Sequence, residues 1–279
     1  CGPAPLAACI LAVLALAATE PMKVIDDEVI QSVVDTLQKA RLFRYDCDKP
    51  DDSPTARLES RFAEIMGQKY CIALNSCSSG LFLSLICTGV RPGDEVLIPA
   101  FTFIAVPGAV VHAHAKPVLV EMTEDYVIDP DDLERKITPN TKHLMLSYMR
   151  GRVPDMDRIV EICERRGITL LEDAAHSLGV QYDGRPTGTF GKAAAFSAQS
   201  YKLLDGGEGG LMVTNDKEIA YKAMLHAGCY ERNWQKHFGT ADDAVWIDSM
   251  VNALPAYNFR MSNLSAAVLL PQIERIDAR

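Results

Sequence analysis

From Lys69 onward the chain alternates short apolar runs with stretches of helical periodicity, and this alternation constrains the fold more than any other feature. The runs suited to strands are residues 70–74, 95–98, 118–120, 143–146, 168–171, 193–196 and 211–214. Helical patterns lie between them at 78–88, 104–113, 156–166 and 217–226. The order predicts an α/β fold of three layers, a mostly parallel sheet of about seven strands with helices on both faces.

The flanking segments fit that plan. Residues 25–38 carry apolar side chains at 25, 29, 30, 33, 34 and 37, one buried stripe of a helix. Ser53 is a good N-cap and Pro54 suits a first helical turn, so a second helix is expected to run to Met66. Residues 41–53 read as a loop, 179–189 as a hairpin-like excursion and 261–276 as a last helix, with no internal repeat or low-complexity linker.

With 48% hydrophobic residues, 279 residues suffice for a sizeable core, as one large domain or two smaller ones. A net charge of −9 without a long basic run argues against nucleic-acid binding. The eight cysteines, at 1, 9, 47, 71, 77, 87, 163 and 229, form no CxxC pair. They read as reduced, mostly buried thiols of a cytoplasmic protein rather than a disulfide frame or zinc site. Residues 6–18 are apolar throughout, resembling the core of a signal peptide but with no basic residue before them. They are too short to span a bilayer comfortably, so no stable membrane insertion is expected. Residues 1–20 read as a leader (a clipped N-terminal targeting segment) or a fragment artefact, in preference to a helix packed on the body, and are set aside.

Three segments carry chemistry. The first, residues 196–210 (FSAQSYKLLDGGEGG), sets Lys202 beside Gly206, Gly207, Gly209 and Gly210, where backbone can approach closely. The second, residues 75–80 (NSCSSG), joins a strand to a helix and offers fresh N–H groups to an anion. Simple capping by Ser76 or Ser78 is the better explanation of that segment taken alone. The third is Glu172-Asp173-Ala174-Ala175-His176, directly after an apolar run. Its plainer alternative is an acid favoured by a helix dipole. Ligands of open α/β sheets collect beyond the carboxyl ends of the strands. Together the segments supply a phosphate cradle, a carboxylate and a lysine, the set that pyridoxal phosphate needs. A buried Asp173 beside a pyridinium would be attracted by about 4 kcal/mol at an effective dielectric near 20.

These segments, with RPGDEVLIPAFTF (91–103), residues 117–121, DMDRI (155–159), LLEDAAHSLG (170–179) and YNFRMSNLSAA (257–267), resemble the DegT/DnrJ/EryC1/StrS sugar aminotransferases. The resemblance implies a fold-type-I pyridoxal-phosphate enzyme with an aspartate-aminotransferase-like large domain. By it, Lys202 is the Schiff-base lysine and proton shuttle, Asp173 the partner of the ring nitrogen, and His176 the contact to the ring hydroxyl. Phe103 would stack on the ring. Ser76, Cys77, Ser78 and Ser197 would hold the phosphate, and Asn258 would reach the phosphate of a partner subunit in a homodimer. No metal is implied. The family usually has Gly at the position of Cys77 and often Thr at that of Ser78, and both changes preserve backbone donors. Tyr148 stands where a His is frequent, which weakens any substrate inference from that loop. The family's small C-terminal domain has no counterpart here, so residues 21–279 are taken as a large domain truncated before it.

The implied reaction moves an amino group from an amino acid, glutamate in this reading, to a nucleotide-linked keto sugar. The alternatives are sugar dehydration, in which relatives carry His in place of the lysine, and a non-catalytic regulatory relative. Which sugar, ring carbon and donor are used is not legible. Three other signals are set aside. Gly191-Lys192-Ala193 fails the P-loop pattern because Pro186 stands where Gly is required and Ala193 replaces Ser or Thr. His112 and His114 read as helical surface rather than a metal pair. Residues 234–237, within the polar segment 230–243, read as a mobile loop over the site or a surface excursion.

Overall fold

All seven apolar runs pair into one sheet in the computed structural model, which describes residues 24–237, 241–251 and 253–276. The strands are β1 (Tyr70–Leu74), β2 (Glu95–Pro99), β3 (Lys116–Val120), β4 (Thr141–Ser147), β5 (Thr169–Asp173), β8 (Ala193–Ser197) and β9 (Gly210–Thr214). The excursion between β5 and β8 holds a small hairpin, β6 (Gln181–Tyr182) and β7 (Arg185–Pro186). The sheet order is β1-β9-β8-β5-β4-β2-β3, and β9 alone runs against the others. The expected α/β architecture is therefore present. Residues 1–20, set aside above, lie outside the described residues. No helix among the described residues is long and apolar enough to cross a membrane.

Two apolar clusters cover the two faces, because successive strand residues point to opposite sides. Ile72, Ile98, Met145, Leu171, Ala195 and Met212 face one way. On that side pack α3 (Cys77–Cys87), α4 (Ala105–His112) and α7 (Lys217–His226). Ala73, Leu97, Leu146, Leu170, Phe196 and Val213 face the other way. There they meet α2 (Pro54–Ile65), α6 (Met156–Arg166) and α9 (Asn263–Ile273). The small side chains of Ala193–Ser197 let α3 close directly on β8: a Cβ on Gly80 would lie 2.9 Å from the Ala195 Cβ.

The helix starts obey their caps. The Asp26 carboxylate accepts from the N–H of Val29 ahead of α1 (Asp27–Lys39), and Ser53 caps α2 with Pro54 in its first turn. Two helices carried no clear periodic signal: the short α5 (Pro130–Arg135) and α8 (Ala244–Val251).

The segment 234–237 is docked on the body at two points rather than being a surface excursion. Trp234 is 2% exposed, and its indole N–H donates to Asp248 at 3.0 Å. The His237 imidazole is buried between Arg44 and Tyr45, with Nε2 2.7 Å from the Tyr45 hydroxyl. Arg44 is itself held in a two-pronged bond to Glu59 at 2.7 and 2.8 Å. Burial, reinforced by the Arg44 charge, holds His237 well below the usual imidazole range, so the ring is neutral and fits as an uncharged spacer. Buried anchors thus dock a polar-looking stretch.

Candidate active site

The parallel strands deliver their carboxyl ends to one edge of the sheet, and the chemistry of the sequence gathers there. Leu74 ends β1, Ser147 ends β4, Asp173 ends β5 and Ser197 ends β8. Gly210 opens the antiparallel β9 at the same edge, paired with Leu74 on one side and Ser197 on the other. The segments following β1, β5 and β8 are therefore neighbours in space.

The cradle forms at the start of α3. The Ser76 hydroxyl accepts from the N–H of Ser79 at 3.1 Å, so the capping reading holds for Ser76. The Ser79 hydroxyl donates in turn to Asn75 at 2.7 Å. The N–H groups of Cys77 and Ser78 belong to the first turn, where no intrahelical acceptor exists. Beneath them runs Gly210. A Cβ there would come within 2.3 Å of the Ser76 carbonyl and 2.5 Å of the Cys77 nitrogen, a backbone collision that only glycine avoids. Small residues, helix N–H groups and Ser197 close by fit a phosphate group.

Asp173 is 5% exposed. Its Oδ2 accepts from the Ser147 hydroxyl at 2.7 Å and its Oδ1 from the N–H of Ala175 at 3.2 Å. The Cys77 thiol lies 4.0 Å from Oδ1. Burial pushes this carboxyl above the usual range, against the pull of Ser147, Ala175, His176 and Lys202. Burial also holds His176 below the usual imidazole range, helped by the Lys202 charge and opposed by Asp173. The Cys77 thiol is driven well up by burial first and Asp173 second, with Lys202 opposing. Lys202 thus acts electrostatically on Asp173, His176 and Cys77, and the four groups share one neighbourhood.

Lys202 lies beyond the end of β8, in a turn closed by its own N–H to the Gln199 carbonyl at 3.1 Å. The turn passes through Tyr201 at φ +78°, a conformation that non-glycine residues seldom adopt. It is fastened from behind: Gln272 of α9 donates to the Asp205 carbonyl at 2.6 Å and accepts from its N–H at 2.9 Å. The Asp205 carboxylate accepts from Ser200 and Gly207 at 2.8 and 2.9 Å.

Two candidates sit at the margin. Phe103 is 58% exposed and lines a cavity of about 610 Å³ with Ser78, Phe82, His112 and Tyr257. Asn258 is exposed, and its carbonyl accepts from Asn75 at 3.3 Å beside the cradle. His112 and His114 are exposed, and no cluster of metal-ligating residues occurs among the described residues.

Tyr148, which stands where the family often has His, is a core residue. It is 1% exposed, and its hydroxyl donates to Glu172 at 2.5 Å on the far side of the sheet from Asp173. Ser147 and Glu172 were both missed by sequence reasoning as parts of the site's frame. A serine closing the apolar run HLML was the available signal for Ser147.

The family model described as the DegT/DnrJ/EryC1/StrS aminotransferase family matches residues 24–279. The chain is 34% identical over 260 residues to the spore coat polysaccharide biosynthesis protein SpsC of Bacillus subtilis, covering 92% of this chain and 64% of that protein. It is 36% identical over 220 residues to the GDP-perosamine synthase of Caulobacter vibrioides, covering 78% and 56%. Among solved structures, 3-amino-5-hydroxybenzoic acid synthase superimposes with a TM-score of 0.79 at 31% identity, covering 91% of this chain and 62% of that one. The chain therefore spans less than two thirds of the length of these relatives.

Proposed function

Because this chain belongs to the DegT/DnrJ/EryC1/StrS aminotransferase family, we propose that it is the large domain, residues 21–279, of a pyridoxal-phosphate-dependent aminotransferase. It moves an amino group from an amino acid, glutamate in this reading, to a nucleotide-linked keto sugar. Relatives named for perosamine synthesis and for coat polysaccharide biosynthesis support the sugar. What supports the reading is placement: Asp173 ends β5 with the Cys77 thiol of the α3 cradle 4.0 Å from it, and Lys202 follows β8 at the same sheet edge.

The cofactor, when bound, supplies an electron sink for a carbanion next to the transferred nitrogen. The chain's own residues do the rest. The Cys77 and Ser78 N–H groups and Ser197 bind the phosphate, and the Gly210 backbone leaves room for it. Asp173 holds the ring nitrogen protonated, and its burial makes a cationic partner favourable. His176, exposed and neutral, contacts the ring hydroxyl. Phe103 covers the ring face. Lys202 Nζ is the amine that would hold the cofactor's aldehyde group, and the same nitrogen would carry the proton that the transfer requires.

A second copy would complete the site. Phe103, Ile104, Val111 and Tyr126 are each more than half exposed, an apolar face beside the cradle that a partner subunit would cover. From there Asn258 would reach the partner's phosphate. The free, largely buried thiols support a reducing, cytoplasmic setting.

The test is Lys202→Ala in the full-length protein. Amine transfer from glutamate to a nucleotide keto sugar, followed by mass, should fall by about 10²–10⁴-fold, with loss of the visible absorbance of lysine-linked cofactor. Unchanged transfer and absorbance would reject the reading.

A further inference from the structure

We propose that Ser147 is a positioning residue of this site: its hydroxyl fixes the rotamer of the Asp173 carboxylate and keeps it charged, ready to meet a cationic ring. The inference rests on the proposed function but concerns a residue outside its catalytic set.

Ser147 and Asp173 are register partners on adjacent parallel strands, so their side chains stand on the same face of the sheet. Ser147 is 8% exposed and its hydroxyl proton goes to Asp173 Oδ2 at 2.7 Å. The hydroxyl could have bonded a backbone carbonyl, as Ser84 does within α3, but it is aimed at the acid. The other groups facing that carboxylate are the Ala175 N–H, the Cys77 thiol, His176 and Lys202, with Arg150 acting on His176 in turn. The thiol is a weak donor at 4.0 Å, and the N–H bond is longer at 3.2 Å. The hydroxyl is therefore the short side-chain bond that singles out the ionised form, and only an ionised Asp173 pairs with a protonated ring. Hydrogen bonds to charged groups are worth about ten- to a hundredfold in an equilibrium constant.

The experiment compares the wild-type full-length protein with Ser147→Thr, Ser147→Val and Ser147→Ala. Each is titrated with pyridoxal phosphate from acid to neutral pH, and the affinity and the absorbance of the bound ring are recorded. Thr and Val have nearly the same shape, so their difference isolates the hydroxyl. Thr should follow the wild type. Val and Ala should bind about tenfold more weakly near neutrality, and the acid fall-off in affinity should move up by about one pH unit. If Val disturbs the strand, Ala, which is smaller than Ser, carries the test, with the urea midpoint as the check on folding. Equal affinities and equal fall-off for Thr, Val and Ala overturn the inference while leaving the proposed function standing. A wild-type protein that binds no pyridoxal phosphate overturns both.

Discussion

Glu172 and Asp173 are consecutive carboxylates at the end of one strand, both nearly inaccessible, and they do opposite things. Strand alternation sends them to opposite faces. Glu172 turns toward the α6 and α9 side, where it accepts from the Tyr148 hydroxyl at 2.5 Å, Gly188 N–H at 2.7 Å and Gly191 N–H at 2.6 Å. Its two oxygens are served by short bonds from fixed donors, and it fastens the hairpin excursion to the sheet. Asp173 turns toward α3, where it has one short bond from Ser147 and a longer one from Ala175. Burial raises both acids above the usual carboxylate range. What separates the two acids is how fully their neighbours satisfy them. Glu172 is a rivet, whereas in the proposed function Asp173 is the partner of a cationic ring.

The comparison can be broken at Glu172 first. Glu172→Ala leaves a buried hydroxyl, a buried N–H and a half-buried N–H without their carboxylate acceptor, at about 1–3 kcal/mol each. A loss of at least about 3 kcal/mol in chemical denaturation is expected, with residues 185–191 losing amide protection before the rest. Unchanged stability would mean that the three bonds contribute nothing net. Tyr148→Phe is the finer cut. It removes one bond to a buried acid and should cost about 1.5–3 kcal/mol, while the spectrum and affinity of bound pyridoxal phosphate stay as in the wild type. A shifted spectrum would show that the two faces of β5 are coupled and that the rivet is part of the chemistry.

This division was only half legible in the sequence. The seven strands could be read because each is a compact apolar run between turn residues, whereas the sheet order, with antiparallel β9 between β1 and β8, could not. Lys202, Asp173 and the α3 cradle could be read because each follows such a run. Which of the two adjacent acids faces the site came from the family resemblance and not from the run itself, since parity along β5 is fixed only by its register with β4 and β8. Ser147 looked like the end of an apolar run, and Tyr148 like a substituted His, until register set them against Asp173 and Glu172. The stretch 234–237 misled for a related reason. Its polar residues are buried by partners at Arg44, Tyr45 and Asp248, remote in sequence, and local composition carries no trace of such partners. Asn263 is a further case. It sits in the first turn of α9, yet its amide ties down both the 41–43 backbone and Ser53 and Thr55 at the start of α2.

Asp173→Asn sharpens the contrast with the smallest expected effect on stability, and with a sign opposite to that at Glu172. The folded-state carboxyl sits above its ordinary value because burial penalises the charge. An acid raised in this way costs the cofactor-free protein nothing while it is protonated, below its ordinary range. The cost appears as pH rises through that range and is complete once pH passes the raised folded value. Asparagine is close to the same shape, can accept from the Ala175 N–H at its oxygen while its amide N–H donates to the Ser147 hydroxyl oxygen, and carries no charge. The variant should therefore match the wild type in acid and exceed it by about 1 kcal/mol near neutrality in the absence of cofactor, as measured by urea midpoints across pH. Addition of pyridoxal phosphate should reverse the order, because only the wild type gains an ion pair with the ring. A variant less stable than the wild type at neutral pH without cofactor would place Asp173 with Glu172, as a second rivet. Greater stability alone, joined to weaker cofactor binding, is what a carboxylate held in reserve for a cation requires.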